Sequence, residues 1–189
     1  MPEKWKKLES RLLQDARIFR LREDVCVSPR TGRASPFYVL ELPDWINVVA
    51  IDTEGDVLFV RQFRHGVGAV TLEIPGGMVD PGETPLEAAV RELREETGYV
   101  ARRWIDLGFI EPNPALQTNR CWTFLAQGCT CAGPAQLDER EDIELVKRPL
   151  EQVGRLLADG SITHALVAVA FQKLNLMQRG VLPIREVQP

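Results

Sequence analysis

The feature that most confines this chain is a helix with both ends marked in the sequence. Thr84-Pro85-Leu86-Glu87 puts threonine at the N-cap, proline at the first helical position and glutamate at the third. That is a capping box reinforced by proline, whose missing N–H costs nothing there. Gly98 stands where a left-handed residue closes a helix. The spacing predicts a helix over Pro85–Thr97. Within it Leu86, Ala89, Val90 and Leu93 recur at i, i+3, i+4 and i+7, so one stripe must be buried against another layer. A short strand-like run, Val70 to Ile74, leads into the helix through Pro75-Gly76-Gly77.

The surroundings are strand-rich. Ile46–Ile51 and Val57–Phe63 flank Asp52-Thr-Glu-Gly-Asp56 and read as a hairpin. Further strands are predicted at Trp104–Ile110, Trp122–Ala126 and Ile143–Lys147. Two C-terminal helices follow. One starts at Pro149, runs through Leu150, Val153, Leu156 and Leu157, and stops at Gly160. The other spans about Thr163 to Met177, is apolar nearly throughout, and is expected to be largely buried. Ahead of the hairpin, Arg17–Val27 and Phe37–Leu42 read as strands around a turn at Ser28–Arg33, until Pro43-Asp44 breaks the chain. Residues 1–43 are therefore read as a strand-rich extension and residues 44–189 as the main domain, of mixed α/β or α+β class.

Composition narrows the function. A chain of 189 residues makes one domain with a small appendage and needs no disulfide or metal merely to fold. Hydrophobic residues at 44% and charged residues at 26% exclude a disordered chain. The longest apolar stretch, Ala165–Phe171, is far below the roughly 20 residues of a membrane span. Met1-Pro-Glu-Lys-Trp-Lys-Lys7 has no apolar run behind its lysines, so no secretory signal is expected. A net charge of −4 argues against general nucleic-acid binding and leaves only a local basic pocket open. Cys26, Cys121, Cys129 and Cys131 lack zinc-ligand spacing and read as reduced thiols of a cytoplasmic protein. His65 and His164 read as ordinary residues.

The chemistry lies on the capped helix. At about 100° per residue, Glu92, Glu95 and Glu96 share a face, with Cβ atoms roughly 5–6 Å apart. Two charges ~6 Å apart repel by about 0.7 kcal/mol in water and about 3 kcal/mol at an effective dielectric of 20. Three glutamates alone read either as a solvated acidic face, with Arg91 pairing to Glu95, or as an oxygen-ligand site for Mg²⁺ or Mn²⁺ in a cleft. The glycine turn before the helix and a fourth carboxylate, Glu83, favour the cleft. A cation held there can clamp phosphate oxygens and activate water.

From Gly77 through Glu83 and Arg91-Glu92-Leu93-Arg94-Glu95-Glu96-Thr97-Gly98 to Tyr99, the segment resembles the Nudix box. The family pattern is glycine, five residues, glutamate, seven residues, then Arg-Glu-aliphatic-x-Glu-Glu-x-Gly-aliphatic. Only Tyr99 is atypical. The resemblance implies an α/β/α sandwich around a mixed β-sheet, and Mg²⁺- or Mn²⁺-dependent hydrolysis of a nucleoside diphosphate linked to another moiety. It implies Glu92 and Glu96 as principal metal ligands, Glu95 as a further ligand or support, the Gly76 carbonyl completing the set, and Arg91 with Glu83 as supporting groups.

Trp5, the early strands, Val60-Arg-Gln-Phe-Arg64, Leu72-Glu-Ile-Pro-Gly76 and Pro114 are similar to the ADP-ribose pyrophosphatase branch. Pro114 also fits a plain turn. The branch implies a catalytic base in an acidic loop, which Leu137-Asp-Glu139-Arg-Glu141-Asp-Ile143 resembles. Glu139 is the candidate base and Glu141 a further metal ligand. Arg64 is the implied diphosphate contact, and Glu73 a contact to substrate or metal. Trp45 reads as a nucleobase platform or as core. In this branch the N-terminal extension exchanges between two subunits, so a homodimer is implied. Other readings are a hydrolase of GDP-mannose or a dinucleotide, and a non-catalytic module that binds ADP-ribose-like ligands.

Overall fold

The protein is described by a computed structural model covering residues 1–139 and 141–189. Two compact units divide the chain, Met1–Asp44 with Glu111–Arg120, and Trp45–Ile110 with Cys121–Pro189.

The first unit is an antiparallel meander of β1 (Lys6–Asp15), β2 (Arg20–Val27) and β3 (Ala34–Glu41). β2 and β3 pair without a slip from Arg20↔Glu41 to Val27↔Ala34, whereas β1 bulges twice against β2. Segment 111–120 docks on the end of β3. The Leu40 N–H donates to the Leu116 carbonyl and the Thr118 N–H to the Leu40 carbonyl. Asp24 of the central strand is buried, bonded by Ser10 and Arg22. Burial opposes its charge, but these bonds outweigh that effect and hold its carboxyl below the usual range.

The second unit has a mixed sheet. Its path runs through β11 (Ile143–Pro149), β5 (Asp56–Arg64), β4 (Trp45–Asp52), β10 (Cys121–Cys131), β9 (Arg103–Ile110) and β12 (Glu186–Val187). β6 (Ala69–Glu73) adds to β5, β7 (Gly76–Met78) to β4 and β8 (Tyr99–Val100) to β10. β4 and β10 run parallel and the other pairs antiparallel. Helix α1 (Pro85–Thr97) covers one face, where Ala88, Ala89 and Leu93 pack with Val48, Ala50, Leu58 and Phe124. Helix α3 (Ala165–Gln178) covers the other, where Val167, Phe171 and Leu174 pack with Val49, Phe59, Ile105 and Leu125. The alternation of Val48, Val49 and Ala50 sends successive β4 side chains to opposite layers. Each fully buried Leu or Phe contributes about 1.5–3 kcal/mol by leaving water. This is the expected α/β/α sandwich.

Helix α1 has the predicted bounds. The Thr84 side chain accepts from the Glu87 N–H, the Glu87 side chain accepts from the Thr84 N–H, and Gly98 closes the helix at φ 75°. A Cβ at Gly98 would lie 2.1 Å from the Gly133 carbonyl oxygen, so both sterics and φ demand glycine there. Two expectations need correction. The helix predicted from Pro149 is a 3-10 turn, Leu150–Gln152, followed by the short α2, Val153–Ala158. Helix α3 buries only Val167, Ala170, Phe171 and Leu174, because an all-round apolar helix can turn only one face to the sheet. Among the described residues no helix is long and apolar enough to cross a membrane.

Candidate active site

The site grows from the β6–β7–α1 segment. β7 lies antiparallel to β4, with Asn47 opposite Gly76 and Ile46 opposite Gly77. A Cβ on Gly76 would lie 2.5 Å from the Ile46 carbonyl oxygen, and one on Gly77 only 2.0 Å from Glu92 Oε1. The glycine pair therefore lets the strand pass directly against the helix carboxylates. The Gly76 N–H donates to Glu96 Oε2 at 3.0 Å.

Arg91 is the organising cation. Its Nε and Nη2 bond the two oxygens of Glu83 at 2.9 and 3.0 Å, and Nη2 also reaches the Met78 carbonyl at 3.0 Å. Its Nη1 bonds Glu92 at 2.8 Å and Glu95 at 3.0 Å. The Arg91 hydrogen bonds hold the Glu83 carboxyl below its ordinary range. Among the described residues Glu96 gains no such partner. It is 4% exposed. Burial first, and the Glu92 charge second, push its carboxyl up to about 8, with the Gly76 N–H only partly opposing them. Burial also raises the Glu92 carboxyl, against the pull of Arg91.

The remaining expected residues are distributed as follows. Arg64 and Glu73 form a two-pronged ion pair, Nε to Oε1 at 2.8 Å and Nη2 to Oε2 at 2.7 Å. Thr71 Oγ1 donates to Glu73 Oε1 at 2.6 Å. Burial opposes ionisation of Glu73, yet these bonds outweigh it and its carboxyl lies below the usual value. In the acidic loop, Glu139 is exposed. Glu141 Oε2 accepts from the Asp138 N–H at 3.1 Å, and the Glu141 charge reaches both Glu92 and Glu96. Arg140 lies outside the described residues. Trp45 heads β4 half-buried, opposite Met78 and Cys121. Pro114 is exposed and belongs to the first unit.

Sequence reasoning missed several parts. Thr71 gave no signal beyond lying two residues from Glu73. The Met78 carbonyl cannot be read from side-chain patterns. His164, read as ordinary, caps α3 by accepting the Leu166 N–H on Nδ1 at 3.2 Å. Among the described residues the tightest acidic trio is Asp52, Glu54 and Asp56 at the β4–β5 turn, not the helix. Physically that turn is self-satisfied. Asp52 Oδ1 accepts the Glu54 and Asp56 N–H groups, and Lys147 Nζ bonds Oδ2 at 2.7 Å.

A family model described as the NUDIX domain matches residues 42–168. The chain belongs to the Nudix family. This Nudix chain is 32% identical over 148 residues to an ADP-ribose pyrophosphatase of Bacillus subtilis, covering 78% of this chain and 80% of that protein. It is 27% identical over 174 residues to a methanol dehydrogenase activator of Bacillus methanolicus, covering 92% and 94% of the two chains. A crystal structure of an ADP compounds hydrolase superposes with a TM-score of 0.82 at 24% identity, over 96% of this chain and 99% of that one, which establishes the fold.

Nudix hydrolases generally need a divalent metal. The Nudix helix here fits one. Its donors are all oxygens, Glu92 and Glu96 are buried side by side, and among the described residues no cationic group hydrogen-bonds Glu96. A divalent cation held by Glu96 would displace a proton from it. Titration with Mg²⁺ is expected to release about one proton per cation near pH 6.5 and clearly fewer near pH 9. Equal release at both would remove Glu96 from the ligand set.

Proposed function

We propose that this Nudix chain is a Mg²⁺- or Mn²⁺-dependent pyrophosphohydrolase that cleaves ADP-ribose, or a related nucleoside diphosphate sugar, to a nucleoside monophosphate and a sugar phosphate. One observation carries the reading: Glu92 and Glu96 are buried together, with Arg91 held behind Glu92 by three further contacts. The match to the Bacillus subtilis enzyme supports the ADP-ribose choice.

Glu92, Glu96, Glu95, Glu141 and the Gly76 carbonyl are the proposed metal ligands. The bound cation supplies charge for the diphosphate oxygens and lowers the pKa of water. The protein side does the rest. Arg91 fixes Glu92 and Glu95 in one orientation. Arg64 binds the diphosphate. Glu139 takes a proton from the attacking water, and its place in an exposed loop suits a base that closes over bound substrate. The indole of Trp45 serves as a nucleobase platform.

The chain is further proposed to act as a homodimer in the cytoplasm. Supporting this, β1 is exposed along its whole length and Trp5, Leu8, Leu12 and Phe37 of the meander are 43%, 55%, 48% and 42% exposed. Among the described residues the four cysteines form no disulfide, which suits a reducing compartment. Sedimentation equilibrium is expected to give twice the chain mass for the wild type and a monomer for Leu8→Asp with Leu12→Asp. A wild-type monomer would remove the dimer.

The likeness to the methanol dehydrogenase activator favours a second reading, a protein that regulates another enzyme. Incubation with ADP-ribose, GDP-mannose and UDP-glucose in Mg²⁺, with products weighed by mass spectrometry, separates the two. AMP with ribose 5-phosphate is expected. GMP or UMP alone would shift the substrate, and no cleavage of any compound would favour the regulator.

A further inference from the structure

We propose that Glu73 and Thr71 are positioning residues that hold the Arg64 guanidinium in one orientation for the substrate diphosphate, instead of touching substrate or metal themselves. The inference rests on the proposed pyrophosphohydrolase reading.

The register of the β5–β6 pair builds the arrangement. Val60 stands opposite Glu73, Gln62 opposite Thr71 and Arg64 opposite Ala69. Side chains two apart share a face, so Gln62, Arg64, Thr71 and Glu73 come together on one side of the hairpin. Glu73 is 3% exposed, while the Arg64 side chain is 43% exposed. A buried carboxylate thus grips the inner edge of a guanidinium whose body reaches out toward solvent.

The grip occupies Glu73. Oε1 accepts from Arg64 Nε and Thr71 Oγ1, and Oε2 accepts from Arg64 Nη2. A divalent cation brought onto these oxygens would have to sit against a guanidinium, which charge repulsion opposes. On Arg64 the bonds use Nε and Nη2, and Nη1 is the remaining donor nitrogen for an incoming phosphate oxygen. An arginine already fixed in the binding geometry loses less freedom when it binds, and two-pronged contacts fix the plane of the fork as well as its place.

The anchor is also tied to the metal-ligand turn. Glu73 is followed by Ile74, Pro75 and Gly76, and the Gly76 N–H bonds Glu96. The short segment that orients Arg64 therefore also orients Glu96, which sets the diphosphate contact and the ligand face from one piece of backbone.

The test is a double-mutant cycle together with a measurement on the free protein. Glu73→Gln is expected to raise KM for the best nucleoside diphosphate sugar about tenfold, as a charge-assisted contact is lost, with kcat within about threefold. Thr71→Val, which keeps the strand-favouring shape, is expected to raise KM by about threefold. Adding Glu73→Gln to Arg64→Ala is expected to change nothing further, because Glu73 acts only through Arg64. The Mn²⁺ affinity of Glu73→Gln is expected to match the wild type. In the free protein, the Arg64 Nε–H resonance is expected to be protected from solvent and to lose that protection in Glu73→Gln.

Multiplying effects in the cycle, a tenfold loss of Mn²⁺ affinity, or an Nε–H signal unchanged by the substitution would each overturn the proposal. Wild-type inertness toward every nucleoside diphosphate sugar would remove the proposed activity instead. The resonance, read without substrate, then decides the pairing by itself.

Discussion

Glu96→Gln is expected to cut turnover by about 10³-fold or more, equal to about 4 kcal/mol of lost transition-state stabilisation, while the protein stays folded. The substitution keeps the shape and still offers an oxygen to the Gly76 N–H, so the loss tracks charge at the metal site. Stability is expected to move the other way. The folded carboxyl sits at about 8, above its ordinary value near 4.5. A raised acid contributes stability that is complete below its unfolded pKa and is lost as pH climbs through its folded one. The metal-free wild type should therefore weaken between about pH 4.5 and about pH 8, by on the order of 5 kcal/mol. Glu96→Gln removes that slope. Its metal-free Tm is expected to exceed the wild type by more at pH 9 than at pH 5, and Mg²⁺ should raise only the wild-type Tm. A variant with wild-type turnover, or with an unchanged pH slope, contradicts the assignment.

Arg91→Met has the second largest expected effect. The change strips Glu83, Glu92 and Glu95 of their shared cation and leaves the Met78 carbonyl without its donor. Removing one partner of a part-buried ion network costs about 3 kcal/mol of stability, because the carboxylates left behind are uncompensated. Turnover is expected to fall about 10²-fold as Glu92 loses its fixed orientation, since misplaced ligands raise the barrier. Arg91→Lys separates charge from geometry. An ammonium restores the charge but cannot make the fork to Glu83 and also reach Met78, Glu92 and Glu95. Chemical denaturation should show most of the stability recovered and kinetics should show activity still low. Full activity in Arg91→Lys would mean the forked geometry is dispensable.

Helix α1 was legible to the residue because its signals are local. Thr84, Pro85, Glu87 and Gly98 act within a turn of where they stand, so nothing distant can overrule them. The central strands were legible because burial on both faces selects β-branched and aliphatic runs. β1 was not, because Lys6–Asp15 is exposed throughout and carries no alternation. β7 was not, because Gly76 and Gly77 are poor strand formers that pair with β4 only through tertiary contact. The acidic face was legible from the 3.6-residue period, and its family meaning from the spacing of Glu83, Arg91 and the glutamates. The contacts that organise it were not. Arg91 reaches the Met78 carbonyl across a loop, and Arg64 meets Glu73 only through a hairpin register that one residue of slip would destroy. The hairpin turn that holds the tighter acidic trio was legible from its flanking strand-like runs, but nothing in the sequence says that Lys147, 95 residues on, satisfies Asp52.

The two acidic clusters give the most direct test. A crystal grown with Mn²⁺ and a methylene-bridged ADP-ribose analogue can be read by its anomalous difference peaks. The expected map places manganese against Glu92, Glu96 and the Gly76 carbonyl, with the analogue's phosphonate oxygens on it. Manganese confined to the Asp52–Glu54–Asp56 turn, with the analogue bound away from α1, would contradict a metal-assisted site on that helix.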